Sequence, residues 1–574
     1  MKYRLYQAIN SIRELVNLAL NNVYAKNMKN VSDLPEFEIE IPADSSHGDL
    51  STNVAMIYAR IFKCPPRAFA ESLRESLIMY YKESDAYIKK IEIAGPGFIN
   101  FFLEDEFFSD VLREIKRFGT DYGALDYGRG KKVMVEFVSA NPTGPMHIGN
   151  ARGGALGDCL ASVLEKAGYD VRREFYVNDA GNQIEKFALS LDVRYQQICN
   201  GEDYISMPEN GYQGQDIKDL ASEFYNIYKD DYMFCDEKLR KDEVVNFALP
   251  KNISRMQADL EKYKIFYDKW FYESELHRTG EVEKIINAFN KNGYTYSKDG
   301  CLWYKATKFG AEKDEVLVRS NGIPTYYAAD IAYHFNKFVT RDFDICIDIW
   351  GADHHGHVER MKGAMEALGV DRNRLKIILV QLVRLMRGKE VVRMSKRTGK
   401  AIQLSDLIDE VGADSAKFMF NNSEANCGMD FDLDLAVKQN SQNPVYYVQY
   451  AYARICSVFR QLSLQQWQFD EYKANEPDYS VLKSECEKKL IYFMAQYPGE
   501  ILRSSKSFDP TKITHYVINL ATLFHKFYSS CKIISNDTNL TFARLGLCEC
   551  VKIVIKNVLD MFKIESPENM AAND

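Results

Sequence analysis

The sequence predicts a multidomain α/β protein with a doubly wound parallel sheet, preceded by an α+β domain and followed by an all-α domain. Three observations carry this. Residues 133–138 are an apolar run that breaks at Asn141-Pro142-Thr143-Gly144-Pro145 and gives way to a helix with Leu156, Leu160, Val163 and Leu164 on one face and Gly168 as its stop. A second strand follows at Val171 to Val177, and strand–helix–strand within about 45 residues is half of a Rossmann-type fold. From Asn440 onward the strand and glycine-turn signals cease and long apolar helical repeats take over.

At 574 residues the chain has room for three or four domains. A hydrophobic fraction of 46% and a charged fraction of 27% are those of an ordinary globular protein with sizeable cores. No apolar run approaches the roughly 20 residues of a membrane span. Arg13 and Glu14 interrupt the apolar residues of the N-terminus, so no signal peptide is expected there. The twelve cysteines are scattered, with Cys548 and Cys550 the close pair, and no second pair lies at zinc-ligand spacing. They read as reduced thiols of a cytoplasmic protein that holds no metal of its own. The net charge of −8 does not suggest a nucleic-acid binder, but a local basic face is enough to hold phosphates. Arg384, Arg387, Lys389, Arg393, Lys396, Arg397 and Lys400 form such a cluster against the single acid Glu390.

Taken in order, Leu5, Ile9, Ile12, Val16 and Leu20 mark an amphipathic helix. Residues 37–41 alternate as a strand ending at Pro42, and Ile91 to Leu103 read as two short strands around Gly95-Pro96-Gly97. His47 lies in a loop with no Cys or His partner nearby, so a turn or capping role is expected. This module closes near Gly123. Residues from about 184 to 300 have helical periodicity without a glycine-rich phosphate turn and read as an insertion between the halves of the parallel sheet. The strand pattern resumes at Gly300 to Tyr304 and again at 316–319. Tyr326 to Phe335 reads as a helix, and Ile345 to Trp350 as a buried strand ending at Gly351-Ala352-Asp353-His354-His355-Gly356-His357. Ligands of such sheets bind at the carboxyl ends of the strands, so nucleotide contact is a better reading of these histidines than metal. The expected domains are 1–123, 124–385 with the insertion, 386–440 as a basic loop with connecting helices, and 441–574.

A strand running through a glycine-containing turn into a helix presents backbone N–H groups and the positive end of a dipole to a phosphate. Here the turn carries His147-Ile148-Gly149-Asn150. Far downstream stands Arg393-Met394-Ser395-Lys396-Arg397. Together, in this order, they resemble the HIGH and KMSKS motifs of class I aminoacyl-tRNA synthetases. The residues between them are similar to those of arginyl-tRNA synthetases, and the resemblance covers nearly the whole chain. It implies ATP-dependent activation of L-arginine to arginyl-adenylate and transfer to the 3′ end of tRNA(Arg), with Mg²⁺ accompanying ATP, by a monomer with no membrane association. His147 and Asn150 would contact ATP phosphates. Lys396 with Arg393 would neutralise charge developing on them. Gly149, Gly351, Asp353 and Met394 complete the expected nucleotide site. The family's arginine-binding glutamate and Ser-x-Asn are matched by Glu136, Ser139 and Asn141, and its Tyr-x-x-x-Asp pair by Tyr326 and Asp330. His354 stands where relatives place a glutamine. Asn100, Tyr447 and Tyr450 are expected to face tRNA, the last two within a pattern similar to that of the family's anticodon-binding domain. Two departures stand out: Asn150 replaces the last His of HIGH, and Arg393 the first Lys of KMSKS. A guanidinium is planar and always charged, and carboxylates in fork geometry recognise it. A carboxylate inside an apolar strand, such as Glu136, is costly without a cationic partner, which a bound arginine or a buried salt bridge would supply. The alternatives are a small-molecule nucleotidylyltransferase, which shares the histidine–glycine turn, and a non-catalytic RNA-binding relative.

Overall fold

The structure, a computed structural model, describes residues 2–26, 35–42, 44–83, 87–392, 402–464 and 466–570. The N-terminal module contains α1 (Arg4–Lys26), β1 (Leu50–Thr52), α2 (Val54–Phe62), α3 (Pro66–Tyr80), β2 (Ile88–Ala94), β3 (Phe98–Leu103) and α4 (Asp105–Phe118). Its antiparallel sheet has the order β1-β3-β2. The strand expected at 37–41 is reduced to one bridge, Glu40 to Ser51. Pro35 and Pro42 flank it and supply no N–H to extend a ladder, although Phe37 and Ile39 are buried as the alternation requires.

The central domain opens with β4 (Lys132–Glu136), α5 (Ile148–Lys166) and β5 (Asp170–Val177), as the sequence pattern predicts. Three helices follow: α6 (Asn182–Asn200), α7 (Gln215–Tyr228) and α8 (Glu237–Lys262). They enclose a small core of their own around Phe187, Tyr195, Leu220 and Phe224. The stretch read as a helical insertion is not helical throughout. β6 (Lys269–Tyr272) returns to the parallel sheet and pairs with β5. After α9 (Glu273–Arg278) and α10 (Glu281–Lys291), β7 (Thr295–Lys298), β8 (Cys301–Tyr304) and β9 (Glu315–Val318) make a separate antiparallel sheet, so the strands expected near 301 and 316 exist but lie outside the parallel one. Next come α11 (Tyr326–Phe335), β10 (Ile345–Gly351), α12 (His355–Ala367) and β11 (Leu375–Val380). The parallel sheet has the order β11-β10-β4-β5-β6. Chain order runs outward from β4 in one direction and from β10 in the other, so the topological switch point lies between these two strands.

β12 (Val383–Arg387), β13 (Glu390–Val391), α13 (Leu404–Val411), α14 (Ala413–Phe420), β14 (Met429–Asp432) and α15 (Leu433–Ala436) connect to the C-terminal helices. These are α16 (Pro444–Ser463), α17 (Gln466–Ala474), α18 (Glu485–Ala495), α19 (Tyr497–Ser507), α20 (Thr511–Ser530) and α21 (Thr538–Met561). Asn443 caps α16 by accepting from the Val445 N–H at 3.2 Å, with Pro444 at the first helical position. The C-terminal helices and the N-terminal module share one hydrophobic core. Tyr122 stacks on Tyr497 at 6.1 Å, and its hydroxyl donates to the Met494 carbonyl at 3.2 Å.

Candidate active site

Two adjoining cavities, of about 960 and 1340 Å³, open at the carboxyl ends of β4 and β10, on the switch point. Ser139, Asn141, Trp350, Gly351, Asp353 and His354 line both and form their common wall. β4 and β10 are neighbours, with Glu136 opposite Asp348, so the residues just past each strand end necessarily face one another. Between β4 and the turn the backbone takes left-handed φ at two successive non-glycine residues, Val138 at +69° and Ser139 at +40°. For a β-branched residue this is an outlier of the kind that gathers at functional sites.

The larger cavity contains the start of α5. His147 is its N-cap: Nδ1 accepts from the Gly149 N–H at 3.1 Å, and Asn150 Oδ1 accepts from the His147 N–H at 3.0 Å. With Nδ1 accepting, Nε2 is the ring nitrogen left to donate into the cavity. Asn150 thus replaces the usual histidine with a side chain that closes a reciprocal cap. A Cβ on Gly149 would lie 2.8 Å from the His147 ring, and one on Gly351 2.5 Å from Asp353 Oδ1. The far wall is Tyr212, Gln213, Gly214 and Asp216, from the insertion. From sequence, the insertion reads as helical without a glycine-rich phosphate turn, and nothing in it marks these residues. Their approach depends on how α6 and α7 pack, which periodicity does not encode. The expectations for Arg393, Met394 and Lys396 fall outside the described residues.

The smaller cavity is lined by acidic groups and aromatic rings, including Glu136, Tyr176, Glu273, Tyr326, Asp330 and Trp350. Beneath it, Asp348, Glu136 and Glu174 sit side by side on β10, β4 and β5 in one row of the sheet. In-register neighbours on parallel strands point to the same face, so this row would repel itself if left bare. One element covers it. The helix α11 continues into a π-helical turn, Asn336–Thr340, and presents His334, Lys337 and Arg341 to the row. Lys337 Nζ donates to Glu136 Oε2 at 2.6 Å and to Asp348 Oδ1 at 2.8 Å, and Arg341 pairs with Glu174. Glu136, expected to meet a ligand cation, lines the cavity and is also paired with fully buried Lys337, which it shares with Asp348. Its other oxygen accepts from Ser139 Oγ at 2.9 Å, and Ser139 Oγ accepts from the Tyr176 N–H at 3.1 Å. Burial and the nearby Asp348 nevertheless raise the Glu136 carboxyl, against the pull of Lys337.

Asp330 projects from α11 into the cavity. His334 Nδ1 lies 3.2 Å from its Oδ1, and His357 Nε2 lies 2.6 Å from its Oδ2. Burial alone would raise this carboxyl, but the two histidines outweigh it and hold it well below the usual range. Burial and Lys337 oppose protonation of His334, yet Asp330 and Asp348 push its pKa up to about 9. Tyr326 opens α11 half-exposed at the cavity rim, with its ring 6.2 Å from that of His357. Sequence reasoning missed Glu273, which follows β6 and opens α9. It is 4% exposed, the Asn178 amide can donate to its Oε2 at 3.0 Å, and burial with the Asp330 and Asp179 charges raises its pKa to about 7. Among the described residues no lysine or arginine forms an ion pair with it; His277 lies 3.7 Å away. Nothing in the local pattern marks it, because β6 itself carries no strand signal.

Of the three adjacent histidines, His354 is exposed on the common wall, its ring 6.1 Å from Trp350, and His357 turns inward to Asp330. Among the described residues no cluster of three His, Cys, Asp or Glu side chains is placed to hold a metal. Asn100 does not face solvent as expected of a tRNA contact. It is 3% exposed and accepts from Ser51 Oγ at 2.7 Å, because β3 is the middle strand of its sheet. Tyr447 and Tyr450 are half-buried on α16. Both rings pack against His525, at 4.6 and 6.0 Å, and the Arg454 guanidinium lies 4.6 Å over Tyr450. Burial lowers the His525 pKa to about 4, so its ring is a neutral stacking surface.

Residues 119–447, which hold the parallel sheet and both cavities, match the family model described as the catalytic domain of class I tRNA synthetases (R). The fold and this site thus define a class I tRNA synthetase. The flanking regions narrow the class: residues 10–103 match the arginyl tRNA synthetase N-terminal domain, and residues 448–570 the DALR anticodon binding domain. The chain belongs to the arginyl-tRNA synthetase family. It is similar to proteins named arginine–tRNA ligase from Caldanaerobacter subterraneus subsp. tengcongensis, at 52% identity over 98% of this chain and 99% of that one, and from Acetivibrio thermocellus, at 50% over 98% and 99%. Among solved structures, an arginyl-tRNA synthetase from Campylobacter jejuni superposes with a TM-score of 0.74 at 32% identity, covering 82% of this chain and all of that one. The Thermus thermophilus enzyme has the same fold at 20% identity, with a TM-score of 0.74 over 98% of this chain and all of that one.

Proposed function

We propose that this chain is an arginine–tRNA ligase that joins L-arginine to ATP as arginyl-adenylate and passes the arginyl group to the 3′ end of tRNA(Arg). The observation that supports the arginine assignment is the smaller cavity. Two carboxylates, Glu273 and Asp330, border it beside Tyr326, and Glu273 has no lysine or arginine partner among the described residues. A buried carboxylate in that state favours a cationic ligand, and Asp330, kept ionised by His334 and His357, offers the second partner for the fork of a guanidinium.

With the guanidinium at Glu273 and Asp330, the α-carboxylate extends toward the common wall at Asn141 and His354. That wall is also the edge of the nucleotide cavity, so the attacking carboxylate and the α-phosphate meet there. No side-chain nucleophile is required, and catalysis is positioning together with stabilisation of phosphate charge. His147 Nε2 donates to a phosphate oxygen from the start of α5, where the helix dipole adds to the same effect. Lys396 and Arg393 supply cations to the α-phosphate and the departing pyrophosphate. Gly351 leaves space for the nucleoside, with Asp353 beside its ribose. Mg²⁺ accompanying ATP would be held mainly by phosphates. Asp216 and Asp353 border the cavity, and their oxygens suit such a hard cation, which supplies charge neutralisation. A terminal ribose hydroxyl of tRNA, the 2′-OH in this class, then attacks the activated carbonyl. The C-terminal helices read the anticodon with Tyr447 and Tyr450. The reading takes the protein as a monomer acting in the cytoplasm.

ATP–pyrophosphate exchange with each of the twenty amino acids, with and without tRNA, tests the proposal. Exchange specific to arginine and dependent on tRNA is the expected result. Exchange with another amino acid, or none under any condition, would overturn it.

A further inference from the structure

The cysteine pair that is close in sequence is not the pair that is close in space. Cys548 and Cys550 are both fully buried within α21. Cys486 and Cys531, 45 residues apart, have their sulfur atoms 3.1 Å from each other. Cys486 is the second residue of α18, and Cys531 is the C-cap of α20. Ser484, the N-cap of α18, places its hydroxyl 3.2 Å from Cys486 Sγ and 3.8 Å from Cys531 Sγ. Cys486 is half-buried and reachable, whereas Cys531 is 8% exposed and its thiol pKa is raised by burial and by the Cys486 sulfur.

We propose that Cys486 and Cys531 are a reversible oxidation site that takes hydrogen peroxide or a related hydroperoxide as its oxidant. Two observations converge on this. The sulfurs are in contact across two helices that already pack together, so about 1 Å of further approach makes a disulfide bond. Their exposures also differ as an attacking and a resolving thiol require. In the first step the Cys486 sulfur, as thiolate, attacks one peroxide oxygen. An S–O bond forms, the O–O bond breaks, and the departing hydroxide takes a proton to become water. In the second step the Cys531 sulfur attacks the Cys486 sulfur and displaces the sulfenic hydroxyl, which leaves as water with the Cys531 proton. Two thiols have lost two electrons, one peroxide has gained them, and one disulfide and two waters result. Ser484 Oγ, within reach of both sulfurs, can pass the proton. The bond ties the start of α18 to the end of α20 on the part of the chain that matches the anticodon-binding family model. A protein with ordinarily reduced cysteines would carry such a bond only transiently, as redox-sensing bonds do.

The test treats the full-length protein with one equivalent of hydrogen peroxide, alkylates the remaining thiols, and maps the digest by mass spectrometry. The expected product is a cross-linked peptide joining Cys486 to Cys531, lost on treatment with dithiothreitol and absent from Cys486→Ser. In Cys531→Ser the first step proceeds without resolution, so dimedone traps a sulfenic acid on Cys486. Peroxide-treated protein in which Cys486 and Cys531 stay reduced while other cysteines are oxidised would overturn the proposal. So would a Cys531→Ser protein with no dimedone adduct at Cys486.

Discussion

Glu136 and Glu273 both follow or end strands beside the same cavity, and their neighbours divide the work between them. Glu136 belongs to a buried lattice with Lys337 and Asp348, whereas Glu273 meets no such cation and is held near neutral pH. Glu273→Gln should therefore weaken arginine binding by hundreds-fold or more, from the roughly 3–5 kcal/mol lost when one partner of a buried charge pair is removed. The KM for ATP in the exchange reaction should stay within twofold or so of wild type, and a comparable rise in both would sink the assignment. A guanidinium selects the ionised form of Glu273, whose pKa in the free protein is about 7. Binding below that pH releases a proton, so the arginine KM should fall as pH rises toward 7 and level off above it. The same titration on Glu273→Gln should show no such slope. Lys337→Met should instead act on the fold, leaving Glu136 without a cation and Asp348 with His334 alone, and costing roughly 3–5 kcal/mol in denaturant unfolding. His334 gives this lattice a pH signature. Its folded pKa, about 9, lies above its ordinary 6.5, so the folded state binds the extra proton between those values. Its stabilisation is complete below pH 6.5 and is lost as pH rises to 9, and His334→Gln should flatten that decline.

The helix α5 is the element that joins packing to chemistry. Its N-terminus carries His147 and Asn150, and its body is pressed so closely on β4 that a Cβ on Gly157 would lie 2.2 Å from the Phe137 ring. Gly157→Ala should cost about 1–3 kcal/mol by overpacking, read as a lowered melting temperature. It should also slow adenylate formation, because the helix start moves with the body. Much of this element is legible in the sequence: an apolar run, a proline–glycine turn and a 3.6-residue apolar period leave few alternatives to strand, turn and helix. Likewise α11 begins at Tyr326 and ends at Phe335 where its pattern predicts. The π-helical turn that extends α11, and the pairing of Lys337 within it, are not legible. A lysine reads as a solvated charge until the register of β4 and β10 puts two carboxylates beneath it, and register is a property of pairing that no single segment carries. The four-residue β6 escapes sequence reading for a similar reason. Lys269-Trp270-Phe271-Tyr272 lacks an apolar–polar alternation, and it becomes a strand only because β5 offers an open edge.

At the scale of the whole molecule the parts are tied by charge as well as by apolar packing. Asp158, inside α5 and fully buried, receives Lys417 of α14 at 2.9 Å, Lys563 from beyond α21 at 2.6 Å, and Arg173 of β5 at 3.2 Å. Asp158→Asn should leave Lys417 and Lys563 without a carboxylate, while Arg173 keeps Glu165, and destabilise the protein by roughly 3–5 kcal/mol. Lys563→Gln, which removes the partly exposed arm, should cost far less in the same unfolding experiment. The shared core also changes what a truncation means. Removal of residues 441–574 takes half of the apolar cluster that buries Tyr3 and Tyr122, so the N-terminal module should lose its protease resistance together with the helices. The insertion between β5 and β6 bears on how such a chain assembles. Closing a long unstructured loop is entropically costly and delays non-local strand pairing. This loop, however, contains α6, α7 and α8 around a core of their own. If that unit forms early, it brings the end of β5 and the start of β6 together before they pair. The last edge of the sheet then closes at little further entropic cost, and Glu273, the residue after that edge, reaches the cavity only when assembly is complete. Pulse-labelled hydrogen exchange during refolding should accordingly find amides of α6 and α8 protected before those of β6, so that arginine recognition is the last property the folding chain acquires.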